Sequence, residues 1–360
     1  MYEPVCHVSE NSVDVEHTDQ SWLARAGVCI RYLSAFHLDI TARCCALHDH
    51  LHDHGFGHGG RLRGGCPRPC VANCHNVSYR HNSEDFISHH RSATLTNMTS
   101  LGAPAPKHDY LADVPFVAMA HRGGAAENTE NSATAFAHAV GLGFRYIETD
   151  VRSTHDGVVV IHHDANLERT TDGQGLLSSR SWSDVCTMQQ ASGDHPMSLT
   201  DALDAFPDTR FNIDCKDDVT VPHLLATLEK LGRTYFPRLC VASFRDDRVA
   251  AVQRHFGGAV ATSAGSAEVV AWIRTSYMGK KIATTASIAA QVPVTVLGLP
   301  LISARFLATA TRLNCHVHAW TVNDEPTMAR LIDAGVHGIV TDQPTLLREV
   351  LTARGLWFPA

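Results

Sequence analysis

What most constrains this chain is an alternation of strand-like and helix-like segments from Pro115 to about residue 353. Short apolar runs that read as strands occur at 116–120, 144–150, 211–215, 239–244, 259–263, 294–299, 316–321 and 338–341. Amphipathic segments of helical period lie among them at 131–142, 198–206, 221–232, 246–256, 267–278, 303–313, 326–334 and 345–351. Several carry end signals: Gly143 follows the first, Ser303 precedes the sixth and Gly335 follows the seventh. Eight such units in about 240 residues fit a closed (β/α)8 barrel better than an open doubly wound sheet. One further run, 158–162, follows the turn signal Asp156-Gly157 too closely for a helix to intervene, so it reads as a hairpin extension of the second strand. The loop after the first strand, His121-Arg122-Gly123-Gly124, lacks the glycine spacing of a dinucleotide-binding turn.

Active sites of this architecture form at the C-terminal ends of the strands, and the polar residues fall there. His121 and Arg122 end the first strand, Glu148 and Asp150 the second, and His163-Asp164 the hairpin strand. Asp214 and Lys216 end the third, Ser243-Phe244 the fourth, and Trp320 the seventh. Glu148 and Asp150 are two apart and so project from one face of a strand. With Asp214 they make three carboxylates that would repel one another without a cation. Hard oxygen ligands favour one divalent cation, Ca2+ or Mg2+, over zinc. Arg122 and Lys216 suit a phosphoryl group, where charge builds on non-bridging oxygens; ordinary salt bridges to Glu148 or Asp214 are compatible with that role. His121 and His163 titrate near neutrality, so one can take a proton from the attacking oxygen while the other protonates the leaving alcohol. Trp320 reads equally well as an apolar wall for the substrate or as a core aromatic. His162, His316 and His318 read as structural. Together the set points to phosphodiester hydrolysis, with an activated water or a substrate hydroxyl as nucleophile.

The first 97 residues differ in kind. They hold seven of the eleven Cys and twelve of the twenty-four His and no Lys, in a chain with only five Lys against twenty-five Arg. They lack sustained apolar periodicity, so a poorly structured His/Cys-rich leader is expected, or a coding frame that properly opens at Met98. Cys66, Cys70, Cys74 and His75 invite a zinc reading, although their spacing matches no common finger. Residues 115–353 are expected to form the barrel. The formal net charge of −7 argues against a nucleic-acid surface. No run approaches the roughly twenty apolar residues that a membrane span requires, and the N-terminus lacks the layout of a secretory signal. A cytoplasmic location is expected; the oligomeric state is left open.

From about Phe116 to Pro344 the sequence resembles the glycerophosphodiester phosphodiesterase family. The likeness begins with His121-Arg122-Gly123 and Thr129-Glu130-Asn131-Ser132, for which Glu127-Asn128-Thr129 is a competing register. It continues through Glu148-Thr149-Asp150, His163-Asp164, Leu167-Glu168-Arg169-Thr170-Thr171, Asn212-Ile213-Asp214-Cys215-Lys216, Trp320-Thr321-Val322-Asn323 and Thr341-Asp342-Gln343-Pro344. Asp214 stands where the family usually has Glu. The resemblance implies a barrel that hydrolyses glycerophosphodiesters, small-molecule substrates, to sn-glycerol 3-phosphate and an alcohol. It implies His121 and His163 as the acid/base pair, and Glu148, Asp150 and Asp214 around Ca2+ or Mg2+. The same residues are compatible with a lysophospholipase D or sphingomyelinase-D-like activity on a lipid, or with a non-catalytic binding barrel.

Overall fold

Strand pairing decides the architecture. The computed structural model describes residues 107–278, 284–296 and 298–359. The expected 1–97 leader, with its Cys66, Cys70, Cys74 and His75 zinc reading, lies outside the described residues. The parallel strands are β1 (Val117–His121), β2 (Tyr146–Ser153), β4 (Arg210–Cys215), β5 (Leu239–Ala242), β6 (Ala261–Thr262), β7 (Ala289–Pro293), β10 (His316–Trp320) and β11 (Gly338–Thr341). Their spatial order is β6-β5-β4-β2-β1-β11-β10-β7. The two ends of that row meet through a parallel bridge between Ser263 and Ala289, with Ala264 N–H donating to Ala289 O at 2.8 Å. The eight strands therefore close on themselves. β3 (Val159–Ile161) pairs antiparallel with the far end of β2, as the hairpin reading requires.

Side chains sort by period two, as a barrel wall buried on both faces demands. In β1, Val117 and Met119 join Tyr146, Cys240, Ala261 and Val340 in one buried cluster, while Ala118 and Ala120 join the second, larger cluster with Phe136, Ile147 and Phe211. A 3-10 turn over Asp109–Leu111 adds Tyr110 and Leu111 to the first cluster, and the Tyr146 hydroxyl donates to Tyr110 O at 2.7 Å. A large apolar side chain buried there, such as Met119 or Leu111, contributes roughly 1.5–3 kcal/mol by leaving water.

The longer helices are α1 (Ala133–Gly141), α4 (Thr220–Leu231), α5 (Asp246–Phe256), α6 (Ser266–Met278), α7 (Ala304–Arg312), α8 (Glu325–Ala334) and α9 (Pro344–Ala353), with the shorter α2 (Trp182–Val185) and α3 (Leu199–Ala205) between β3 and β4. Their starts follow sequence signals. Ser132, Ser198, Ser303 and Asp324 each accept a backbone N–H of the first turn, and Ser198 forms a capping box with Asp201. Among the described residues no helix is long and apolar enough to cross a membrane.

One expected strand is corrected. The 294–299 run is not a barrel stave. The stave is β7, just before it, and residues of the run form a small antiparallel hairpin, β8 (Thr295–Val296) with β9 (Leu299–Pro300). The true stave opens on two alanines and then Gln291, whose amide exchanges hydrogen bonds with Asn212 at 2.9 and 3.1 Å. Its small Ala289-Ala290 start and Gln291 make this stave a weaker apolar run than residues 294–299 directly after it.

Candidate active site

Register assembles the site. β1 and β2 pair with His121 opposite Glu148, and β2 and β4 pair with Asp150 opposite Asp214. These registers bring three carboxylates and an imidazole together at the C-terminal rim. Ligand atoms of Glu148, Asp150 and Asp214 lie within 4.8 Å of one another, and all three residues are buried.

Around them the charges interlock. The Lys216 ammonium lies 2.7 Å from both Asp150 Oδ1 and Asp214 Oδ2. The Arg122 guanidinium approaches Asp150 Oδ2 to 3.0 Å as an ion pair, and Arg122 N–H donates to Glu148 Oε2 at 3.2 Å. Arg122 sits at φ 51, a left-handed conformation, followed by Gly123 at φ 83, where a Cβ would come within 2.7 Å of the Phe136 ring. The tight turn thereby aims both the amide and the side chain of Arg122 at the carboxylates. Asn131 donates to Asp150 Oδ2 at 2.9 Å and accepts from Thr149 Oγ1 at 2.7 Å. That contact selects the Glu130-Asn131 register over Glu127-Asn128; Glu127 instead accepts from Thr345 N–H and Oγ1 at the start of α9.

The two imidazoles are held alike. His121 Nδ1 is 2.6 Å from Asp342 Oδ1, and Asp342 Oδ2 accepts from Asn323 at 2.7 Å. His163 Nδ1 is 2.6 Å from Asp164 Oδ1. Each ring thus has Nδ1 engaged by a carboxylate, which leaves Nε2 for other chemistry. Their electrostatics diverge. Burial would lower the His121 pKa, but Glu148 and then Asp342 raise it above its usual value. For His163, burial and then Lys216 lower it. Burial would raise Asp150, but Lys216 and Arg122 hold it far below the usual carboxylate range, whereas burial and Asp150 hold Glu148 well above that range.

A cavity of about 660 Å³ opens over this rim, lined by His121, Arg122, Glu148, His163, Asp214, Lys216 and Trp320, among others. Asp150 lies beneath, fully buried. Every candidate site residue is thus gathered at one mouth. Trp320 packs against the core cluster that holds Val117 and Met119 and also forms part of the cavity wall, edge to face with Phe244 at 5.6 Å between centroids. His162, read as structural, is buried with Nε2 on Asn166 O at 3.0 Å. Sequence reasoning assigned no role to Asp342, Asn323, Asn131 or Glu130. The first two stood in the closing motifs and the others in the first loop, but only folding shows which imidazole or carboxylate each one holds.

The pattern described as the glycerophosphoryl diester phosphodiesterase family matches residues 121–346. The chain belongs to that family. It is accordingly a phosphodiester hydrolase by membership. A probable glycerophosphodiester phosphodiesterase 2 of Mycobacterium tuberculosis is 36% identical over 258 residues, which cover 70% of this chain and 97% of that protein. A human lysophospholipase D is 26% identical over 268 residues, 65% of this chain and 85% of its own. Among solved structures, a phosphodiesterase of Oleispira antarctica in complex with the product sn-glycerol 3-phosphate superposes with a TM-score of 0.55 at 18% identity, covering 65% of this chain and 96% of that one. A glycerophosphoryl diester phosphodiesterase structure from Silicibacter pomeroyi gives 0.57 at 20%, covering 69% and 99%. At those identities the likeness speaks for the family's barrel.

Proposed function

We propose that the chain hydrolyses glycerophosphodiesters to sn-glycerol 3-phosphate and an alcohol, with His121 and His163 as the acid/base pair and one divalent cation, Ca2+ or Mg2+, among Glu148, Asp150 and Asp214. The observation that carries this reading is the pair of carboxylate-anchored imidazoles facing a three-carboxylate cluster across one cavity.

The residues fit a cation. Asp214 Oδ1 is buried with no hydrogen-bond partner among the described residues, a costly state for an anionic oxygen that a cation would relieve. The donors are hard oxygens, which suit Ca2+ or Mg2+. When bound, the cation would supply charge for the phosphoryl oxygens. Arg122 and Lys216 reinforce that charge and fix the phosphoryl group between the two rings. One imidazole removes the proton of the attacking hydroxyl, and the other gives a proton to the departing alcohol oxygen. Asp342 and Asp164 keep each ring in the tautomer that has Nε2 available, as the buried carboxylate of a catalytic triad does.

The test is release of sn-glycerol 3-phosphate from a panel of glycerophosphodiesters before and after chelation. Unchanged turnover with all divalent cations removed sinks the metal assignment. A second reading, lysophospholipase D activity, is favoured by the volume of the cavity, about 660 Å³, and its apolar side, where Phe244, Val269, Val292, Pro293 and Trp320 offer a surface for an aliphatic chain. The ratio of turnover on lysophosphatidylcholine to that on glycerophosphocholine decides between the two.

A further inference from the structure

We propose that Arg169 is a positioning residue that locks His163 through Asp164, using Glu130 as its anchor. The proposal rests on the acid/base role given to His163 above and adds a residue that the reaction itself does not touch. Neither Arg169 nor Glu130 is among the residues that line the cavity, whereas Asp164 and Arg122, which they grip, are.

The geometry is a continuous chain of charge-assisted hydrogen bonds. His163 Nδ1 meets Asp164 Oδ1 at 2.6 Å. Arg169 then grips Asp164 with two nitrogens, Nε to Oδ2 at 2.5 Å and Nη2 to Oδ1 at 3.1 Å. The same guanidinium grips Glu130 twice, Nη2 to Oε1 at 2.7 Å and Nη1 to Oε2 at 2.9 Å. Glu130 Oε1 also accepts from Arg122 Nη1 at 3.0 Å. One planar guanidinium therefore spans two carboxylates, a task that an ammonium, as a point charge, cannot reproduce.

The loop that carries Arg169 is itself fixed. Leu167 is fully buried, its N–H donates to Gly175 O at 3.0 Å, and its carbonyl accepts both Thr171 N–H and Thr171 Oγ1. Asp164, adjacent to His163, has no strand around it to fix its rotamer, because β3 ends at Ile161. Without Arg169 the Asp164 carboxylate is free to turn away, and the His163 ring loses the contact that sets its plane and tautomer. Burial, Lys216, Arg122 and Asp150 also act on the charge of that ring, but among the described residues only Asp164 is hydrogen-bonded to it through the side chain. The Arg152 guanidinium Nε donates to the His163 carbonyl at 2.7 Å and holds its backbone, leaving the ring to Asp164.

The experiment is a double-mutant cycle on the full chain, read as kcat and KM for one glycerophosphodiester. Arg169→Met should lower kcat about 100-fold, the scale of a misplaced catalytic group, with little change in KM. In a His163→Gln background the same substitution should cost almost nothing further, because the group it positions is gone. Arg169→Lys should recover only part of kcat. If the loss is the same size in both backgrounds, or if Arg169→Met turns over like the unmodified chain, the proposal is overturned. If His163→Gln alone leaves kcat intact, the acid/base reading fails instead, and if the unmodified chain releases no sn-glycerol 3-phosphate the function itself fails. Should Arg169→Met fail to fold, Arg169→Gln in the same cycle takes its place, with the same non-additivity expected.

Discussion

At the scale of single residues, the two imidazoles are equivalent in sequence and unequal in place. His121 sits between Asp342 and Glu148, and His163 sits closer to the field of Lys216. Asp342→Asn keeps the shape of the side chain but removes the charge on His121 Nδ1. It should lower kcat roughly 10- to 100-fold, the usual cost of losing such a supporting partner, while the thermal melting curve stays in place. Asp214→Ala should act on the proposed cation site instead: calorimetric titration with Ca2+ and Mg2+ should show affinity falling by more than about 100-fold if Asp214 is, as proposed, a direct ligand rather than a supporting group. The candidate residues were legible because each closes an apolar run, and strand ends are where a barrel does its chemistry. Asp342 also closes a run, that of β11, but nothing local names its partner, and Glu130 lies in a loop without such a mark. Their partners come from 221 and from 8 and 39 positions away in the chain, and no local period encodes such pairings.

At the scale of elements, the turn after β1 and the stave β7 show what patterning reveals and what it hides. His121-Arg122-Gly123 reads as a strand end plus a turn, and the structure adds that Gly123 is required twice, by its φ of 83 and by the Phe136 ring of α1. Gly123→Ala should therefore destabilise by about 1–3 kcal/mol, from backbone strain and overpacking together, seen as a lower melting temperature. It should also reduce activity in the fraction that remains folded, because Arg122 loses its aim. Alternation and caps placed seven staves and the hairpin correctly. β7 escaped because apolarity was the only signal used. Its Ala289-Ala290-Gln291 start is small and polar, and its place in the sheet is set by pairing with His316 to Trp320 of β10 along its whole length.

At the scale of the whole molecule, buried histidines make the fold sensitive to acid. His318 is fully buried with neither ring nitrogen hydrogen-bonded, and burial and the neighbouring His316 and His337 hold its pKa well below normal. His337 accepts Val317 N–H at Nδ1 and is pushed down by burial to about 4. An unfolded imidazole takes its proton below about pH 6.5, so between there and pH 4 His318 and His337 bind more protons unfolded than folded. The stability these two imidazoles contribute is then complete above pH 6.5 and falls as the pH drops toward 4, by on the order of 3 kcal/mol for His337, while Glu148, held up at about 7, acts in the opposite direction. Denaturant midpoints across that range should fall with pH, and His337→Phe should flatten the slope. We also propose that the 115–353 barrel folds without the leader, since its staves are paired all the way round; a chain opening at Met98 should melt and turn over like the full one.

The join between β6 and β7 rests on a two-residue strand and one bridged pair, whereas β2 and β4 match for six residues. A hoop with one thin weld breathes at the weld. Amide protons of Ala264 and Ile288 should trade with deuterated water well before those of Ile147 or Ile213, because local opening there breaks few bonds. Ser263, Ala264 and Val292 stand at the same place in the cavity wall, so that breathing would widen the mouth on its apolar side while the carboxylates on β2 and β4 stay put.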